Sequence, residues 1–194
     1  MTERKYANPG ALGLCGFALT TFLLTGCNAL GFDSGSMILG MGIFFGGLLQ
    51  VWAGAMEFRN GDAFGGLAFS SYGAYWLSFC AMRMFPVMGW GAPADNNAVG
   101  LYLFIWGVFS AMMFVGTLKK ARVLQLVFGL LVVLFMLLAA ENFLIAAGNG
   151  AWEAVGKAAA WVGVVLGLVA LYAGVGGMLN EVEGRELFPM GKVG

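Results

Sequence analysis

The chain has 194 residues, 60% of them hydrophobic and 10% charged, with ten Lys and Arg against ten Asp and Glu and no histidine. Soluble domains carry about 25% charged residues, so this composition excludes a water-compatible globular surface. The balanced charge, with no clustered excess of either sign, excludes a basic face for nucleic acid and a disordered chain. With a mean hydropathy of +0.85, an integral membrane protein remains.

A hydrocarbon core of about 30 Å needs about 20 apolar residues at about 1.5 Å rise each. Six stretches of that order occur, at 12–30, 37–56, 64–84, 99–118, 123–147 and 158–179, uncharged but for Arg83 near the end of the third and Glu141 in the fifth. The first is preceded by Asn8 and Pro9, a favoured helix cap followed by a residue that gives up an amide with no helical partner. Arg4 and Lys5 raise the alternative of a signal peptide, but no small-residue cleavage pattern follows and Pro9 sits where the apolar region should begin, so a retained helix is expected. Charged or Gly-rich punctuation separates the later stretches, at 31–35, 57–62, 86–97, 119–122 and 148–157. The runs are apolar on every side, without the alternation of a transmembrane strand. The expected fold is an all-α integral membrane bundle of six transmembrane helices in a single domain.

Orientation follows from the cations. One side collects Arg4, Lys5, Arg59, Lys119, Lys120, Arg122, Arg185 and Lys192, and the other only Arg83 and Lys157. Both termini are therefore expected in the cytoplasm.

Gly42-x-x-x-Gly46 and Gly163-x-x-x-Gly167 read first as close helix packing, with a pore wall as the alternative. Formal charges fall at helix ends, the nearest to lipid being Glu57, Arg83 and Glu141. Arg83 either pairs with Glu141, stands at an outer vestibule where it attracts anions, or snorkels to headgroups. The interior polar groups are neutral, among them Asn8, Thr20, Gln50, Ser71, Tyr72 and Asn142. An isolated hydroxyl commonly bonds its own backbone at i−4. An unpaired amide in hydrocarbon costs several kcal/mol, so Gln50 must face a partner or water. Cys15, Cys27 and Cys80 lie in apolar runs without C-x-x-C spacing and read as small hydrophobes. Without histidine or grouped carboxylates, no catalytic, metal or cofactor site is expected, and the chain does not read as an enzyme.

The run Asn8-Pro9-Gly10-Ala11-Leu12-Gly13-Leu14, followed by Phe17 and Thr20-Thr21, resembles the signature of the acetate uptake transporter family, the succinate-acetate permeases. So do Met41-Gly42-Ile43-Phe44-Phe45-Gly46-Gly47 with Gln50 and Glu57, Phe69-Ser70-Ser71-Tyr72-Gly73, Trp106-Gly107 and Ala121-Arg122-Val123-Leu124-Gln125. The family's opening motif has a second proline where this chain has Ala11. The resemblance implies a six-helix protomer with its own central pore, a homohexameric ring in the plasma (inner) membrane, and passage of acetate, succinate and similar small carboxylates. It also implies a mid-pore constriction, matched here to Phe17, Tyr72 and Leu131.

In that setting Asn8, Thr20, Gln50, Ser71 and Asn142 are candidate donors along the substrate pathway, and the Tyr72 hydroxyl is expected to donate to a carboxylate. With no deep titratable group, a channel for the anion is the first expectation. Proton-coupled symport is the alternative, and a pore for a neutral solute such as urea or ammonia is a further rival.

Overall fold

The computed structural model describes residues 7–191 and 193; Arg4, Lys5 and Lys192, used in the orientation count, lie outside the described residues. The described residues form six helical rods and no strand, in the order α1 (Gly10–Leu30), α2 (Met37–Arg59), α3 (Ala63–Val87), α4 (Asn96–Val115), α5 (Arg122–Ala146) and α6 (Trp152–Glu183). All but α3 are long and apolar enough to cross a membrane on those criteria alone. α3 has the length, 25 residues, but carries Ser70, Ser71, Ser78, Arg83 and five glycine or tyrosine positions, which lower its hydropathy.

The helix starts are set by side chains that satisfy orphan amides. Asn8 Oδ1 accepts from Gly10 N at 3.0 Å, Asp62 Oδ1 from Gly65 N at 3.0 Å, and Asp95 Oδ1 from Ala98 N at 2.8 Å. α5 is started differently. Arg122 N donates to Gly191 O at 2.7 Å and Val123 N to Met190 O at 3.2 Å, so the segment after α6 folds back and caps α5. Asn180 fixes that return, since its Oδ1 accepts from Leu187 N and Phe188 N while its Nδ2 donates to Phe188 O at 2.7 Å.

α1 packs along α6, α6 along α5, α5 along α4, and α2 along both α1 and α3. Glycine brings the backbones together at these seams. A β-carbon at Gly167 would lie 3.1 Å from Ala18 O and 2.8 Å from Phe22 Cβ, and one at Gly46 would lie 2.8 Å from Thr20 Oγ1. The glycine pairs thus serve helix packing. The α3–α4 seam is built instead from rings, with Tyr75 5.3 Å from Trp106 and stacked at 5.8 Å on Tyr102.

Within α2, Gly42–Leu49 is a π-helix, a wide-turn geometry frequent at functional sites. Its last turn delivers Gln50 into the bundle, where that residue is 1% exposed. Large apolar side chains such as Phe44, Trp52 and Met112 point outward, 57–72% exposed, a surface suited to lipid rather than water.

Candidate functional site

Cavities penetrate the bundle from opposite ends. At the end where α1 begins, about 300 Å³ is bordered by Asn8, Glu57, Asp62, Lys120 and Met190. At the other end a funnel of about 720 Å³ is bordered by Asn28, Tyr75, Arg83, Glu141 and Asn142. In the interior Phe17 from α1, Gln50 from α2, Tyr72 from α3 and Leu131 from α5 surround about 20 Å³, near the room one water molecule requires. This neck shares Leu14, Ala68, Phe69 and Phe128 with the first cavity, so it is that cavity's narrow inner end. Toward the funnel it is closed by a second layer, in which Tyr75 meets the Phe135 ring edge-on at 5.1 Å.

The three residues matched to a constriction are therefore brought together, with Gln50 beside them. Each is held by packing: Phe17 and Tyr72 have centroids 6.2 Å apart, and Tyr72 also touches Phe109 at 5.6 Å. The Tyr72 hydroxyl does not stand free for a substrate. It lies 2.9 Å from Ser110 Oγ, which itself donates to Trp106 O at 2.8 Å. Serine has one proton, so both contacts are hydrogen bonds only when Tyr72 is the donor. The proton expected to meet a carboxylate is instead engaged by α4.

Gln50 contrasts with this. Its Oε1 is buried and has no hydrogen-bond partner among the described residues, and its side chain lines the neck. A buried amide left so costs about 1–3 kcal/mol.

Other expected pathway residues are more dispersed. Asn8 borders the first cavity, its Oδ1 turned to Gly10 N. Asn142 borders the funnel and donates to Leu138 O at 2.9 Å. Thr20 donates to Gly16 O at 2.7 Å and packs against Gly46, away from the axis, because a threonine on a helix satisfies its own hydroxyl one turn back. Ser71 is half-buried and borders none of these three cavities. Arg83 borders the funnel, with its guanidinium 5.1 Å from the centroid of the Phe79 ring. Glu141 borders the same funnel and is packed against Gly156 at the start of α6; no ion pair joins it to Arg83 among the described residues.

Two features escaped the sequence. Glu57, expected near the lipid boundary, is 7% exposed and faces the first cavity. Its place two turns beyond Gln50, on the buried face formed by Gln50, Ala53, Gly54 and Glu57, is the signal that could have found it. Tyr75, the floor of the funnel, stands one turn from Tyr72 on the same face of α3.

Known proteins bear on this arrangement. The chain matches the GPR1/FUN34/yaaH family over residues 1–188. It is 45% identical to the succinate-acetate/proton symporter SatP of Escherichia coli (strain K12), over 99% of each chain. It is 36% identical to ammonia transport outward protein 2 of Saccharomyces cerevisiae (strain ATCC 204508 / S288c), over 91% of this chain and 63% of that protein. The solved structure of the bacterial acetate channel SatP matches with a TM-score of 0.91 and 46% identity, covering 96% of this chain and all of that one. By the extent of the family match and by these identities, the chain belongs to the GPR1/FUN34/yaaH family.

Proposed function

We propose that the chain is a multi-pass carrier of acetate, succinate and similar small carboxylates, and not an enzyme. In this reading all six helices cross the plasma (inner) membrane, with the spans 12–30, 37–56, 64–84, 99–118, 123–147 and 158–179 in the hydrocarbon. The cation-rich end, which among the described residues holds Arg59, Lys119, Lys120, Arg122 and Arg185, faces the cytoplasm. Protomers assemble as a hexameric ring, each with its own pore, as the family resemblance implies.

The observation that carries the reading is the neck, where Phe17, Gln50, Tyr72 and Leu131 converge from four helices on room for one water between two wider cavities. A solute passes such a point only after losing its hydration shell, so it must be small and must present an apolar side to the rings. Asn8 and Asn142 serve at the two mouths, and Arg83 gives the funnel a cation that concentrates anions. The similarity to a symporter and to a channel for the same substrates supports this assignment.

A second reading, a pore for ammonia or another neutral solute, is favoured by the uncharged lining of the neck. Uptake of labelled acetate, succinate, lactate, urea and methylammonium into liposomes holding the purified protein separates the two. Saturable, protein-dependent uptake of the carboxylates is expected; uptake confined to urea or the amine would refute the assignment.

A further inference from the structure

On the outer face of the bundle, α5, α6 and the folded-back tail border a groove of about 560 Å³. We infer that this groove binds an anionic phospholipid of the cytoplasmic leaflet, with the lipid phosphate on Arg122 and an acyl chain against Leu126 and Leu168. The inference rests on one part of the reading above, the placement of the helices across a membrane with the cation-rich end in the cytoplasm.

The groove has a charged end and an apolar end. Leu126 of α5 and Leu168 and Val169 of α6 line it, and Leu126 and Leu168 are 51% and 52% exposed, a surface made for hydrocarbon. Arg122 opens α5, one turn before Leu126 and so about 6 Å nearer the cytoplasm. On α6, which runs the opposite way, Tyr172 stands one turn, again about 6 Å, beyond Leu168, and its hydroxyl donates to Pro189 O at 2.9 Å. Cation and apolar wall therefore follow one another along the membrane normal in the order of a phospholipid's headgroup and chains.

The hydrogen-bonding groups select the headgroup. The Arg122 side chain is exposed, and one of its guanidinium N–H groups donates to Gln125 Oε1 at 3.1 Å, which orients the plane of the group. Its other donors suit a phosphate, which accepts them in pairs. Among the described residues no Asp or Glu borders the groove, and Glu186 of the tail turns a carboxylate oxygen to Met190 N at 3.2 Å. A zwitterionic headgroup would bring an ammonium for which the groove holds no carboxylate. A headgroup of net negative charge leaves no such group unmatched. The position also gives the lipid something to cover. Val123 and Met190 border both this groove and the first cavity, so a single layer of side chains separates the membrane from that cavity.

Native mass spectrometry of the purified protein, titrated with phosphatidylglycerol or with phosphatidylcholine of the same chains, reads this binding without any transport. Tighter retention of phosphatidylglycerol is expected. Arg122→Gln should weaken it by about fivefold, the worth of one cation beside an anionic lipid, and Lys119→Gln by less than about twofold, since Lys119 carries the same charge at the same end but does not border the groove. Leu168→Trp, which fills the groove with a ring and leaves Arg122 in place, should weaken it comparably to Arg122→Gln. Equal retention of the two lipids by the wild-type protein would overturn the inference, as would equal losses in Arg122→Gln and Lys119→Gln. A loss in Arg122→Gln that Leu168→Trp does not share would put the headgroup outside the groove and refute the site. Absence of a lipid preference together with a changed oligomeric state in Leu168→Trp would assign the groove to a second copy of the chain, against the inference. None of these results touches carboxylate transport, and a failure of acetate uptake in liposomes would leave the lipid site standing.

Discussion

The proton count at Tyr72 makes a prediction that runs against the obvious role of a tyrosine in a pore. Ser110 is fully buried and Tyr72 is 3% exposed, and their bond is one link in a chain from Tyr72 through Ser110 to Trp106 O. Ser110→Ala removes the acceptor and leaves a buried phenol hydroxyl unpaired, which costs about 1–3 kcal/mol, offset by about 0.5 kcal/mol because alanine is the better helix former. Tyr72→Phe removes the donor but leaves Ser110 bonded to Trp106 O, so only one neutral bond is lost, about 1 kcal/mol. In the double variant no polar atom of the chain is stranded, because Trp106 O lies within a continuous helix. Its stability should therefore exceed that of Ser110→Ala, with a coupling of about 1 kcal/mol in a double-mutant cycle. Equilibrium unfolding of the purified protein in detergent measures the three differences. The same logic fixes the transport result: Tyr72→Phe should keep acetate uptake within about threefold of wild type, because the proton it loses was facing α4 and not the substrate. A fall of tenfold or more with unchanged stability would show that the hydroxyl does reach the passing acid, and the assignment of donors and acceptors at the neck would be wrong.

Three further variants probe the seams, the neck and the folded-back tail. Gly167→Ala places a carbon against Ala18 O and the Phe22 backbone, which cannot yield, and should cost about 1–3 kcal/mol by overpacking, whereas Gly26→Ala meets nothing within 4 Å and should be neutral or stabilising by up to about 1 kcal/mol; thermal unfolding of the two ranks them. Phe17→Ala opens a neck of about 20 Å³ and should raise lactate uptake relative to acetate by about tenfold, read as a ratio of initial rates in liposomes. Asn180→Ala removes three hydrogen bonds that hold the return of the tail; at about 1 kcal/mol each their loss should speed tryptic cleavage after Arg185 by at least about tenfold, with little change in the unfolding midpoint of the helices.

The order of the helical rods was legible because each carries a long, almost uncharged run, and a run of that length has few other solutions in lipid. The caps at Asn8, Asp62 and Asp95 are local chemistry and could be read as such. The π-helix at Gly42–Leu49 was not legible, because glycine density announces close packing equally well whether the turn has 3.6 residues or more. Gln50 could be singled out, since an amide in an apolar run has to be satisfied or wet. Nothing in the sequence said that its oxygen would be left unpaired while the hydroxyl of Tyr72 was occupied. That difference depends on Ser110, 38 residues further on, which reads from the sequence as one more helical serine bonding its own backbone. It does so, and by doing so it turns its lone pairs to Tyr72. Glu57 was misplaced for a related reason: a charge at the end of an apolar run is ordinarily at the membrane surface, and here the glycines at 10 and 65 let neighbouring helices close over it.

The lining of the neck sets very different costs for the two protonation forms of a small carboxylic acid. A carboxylic acid with a pKa near that of a glutamate side chain, about 4.3, is protonated in about one molecule in 500 at pH 7, which corresponds to about 3.7 kcal/mol. Moving a carboxylate from water into a low-dielectric site costs about 20 kcal/mol in the ideal limit and still several kcal/mol after relaxation. A neck lined mainly by rings and aliphatic side chains, with one amide and no cation, lies toward the expensive end of that range. For the carboxylate transport proposed above, protonation at the mouth followed by passage of a neutral molecule therefore presents the lower barrier.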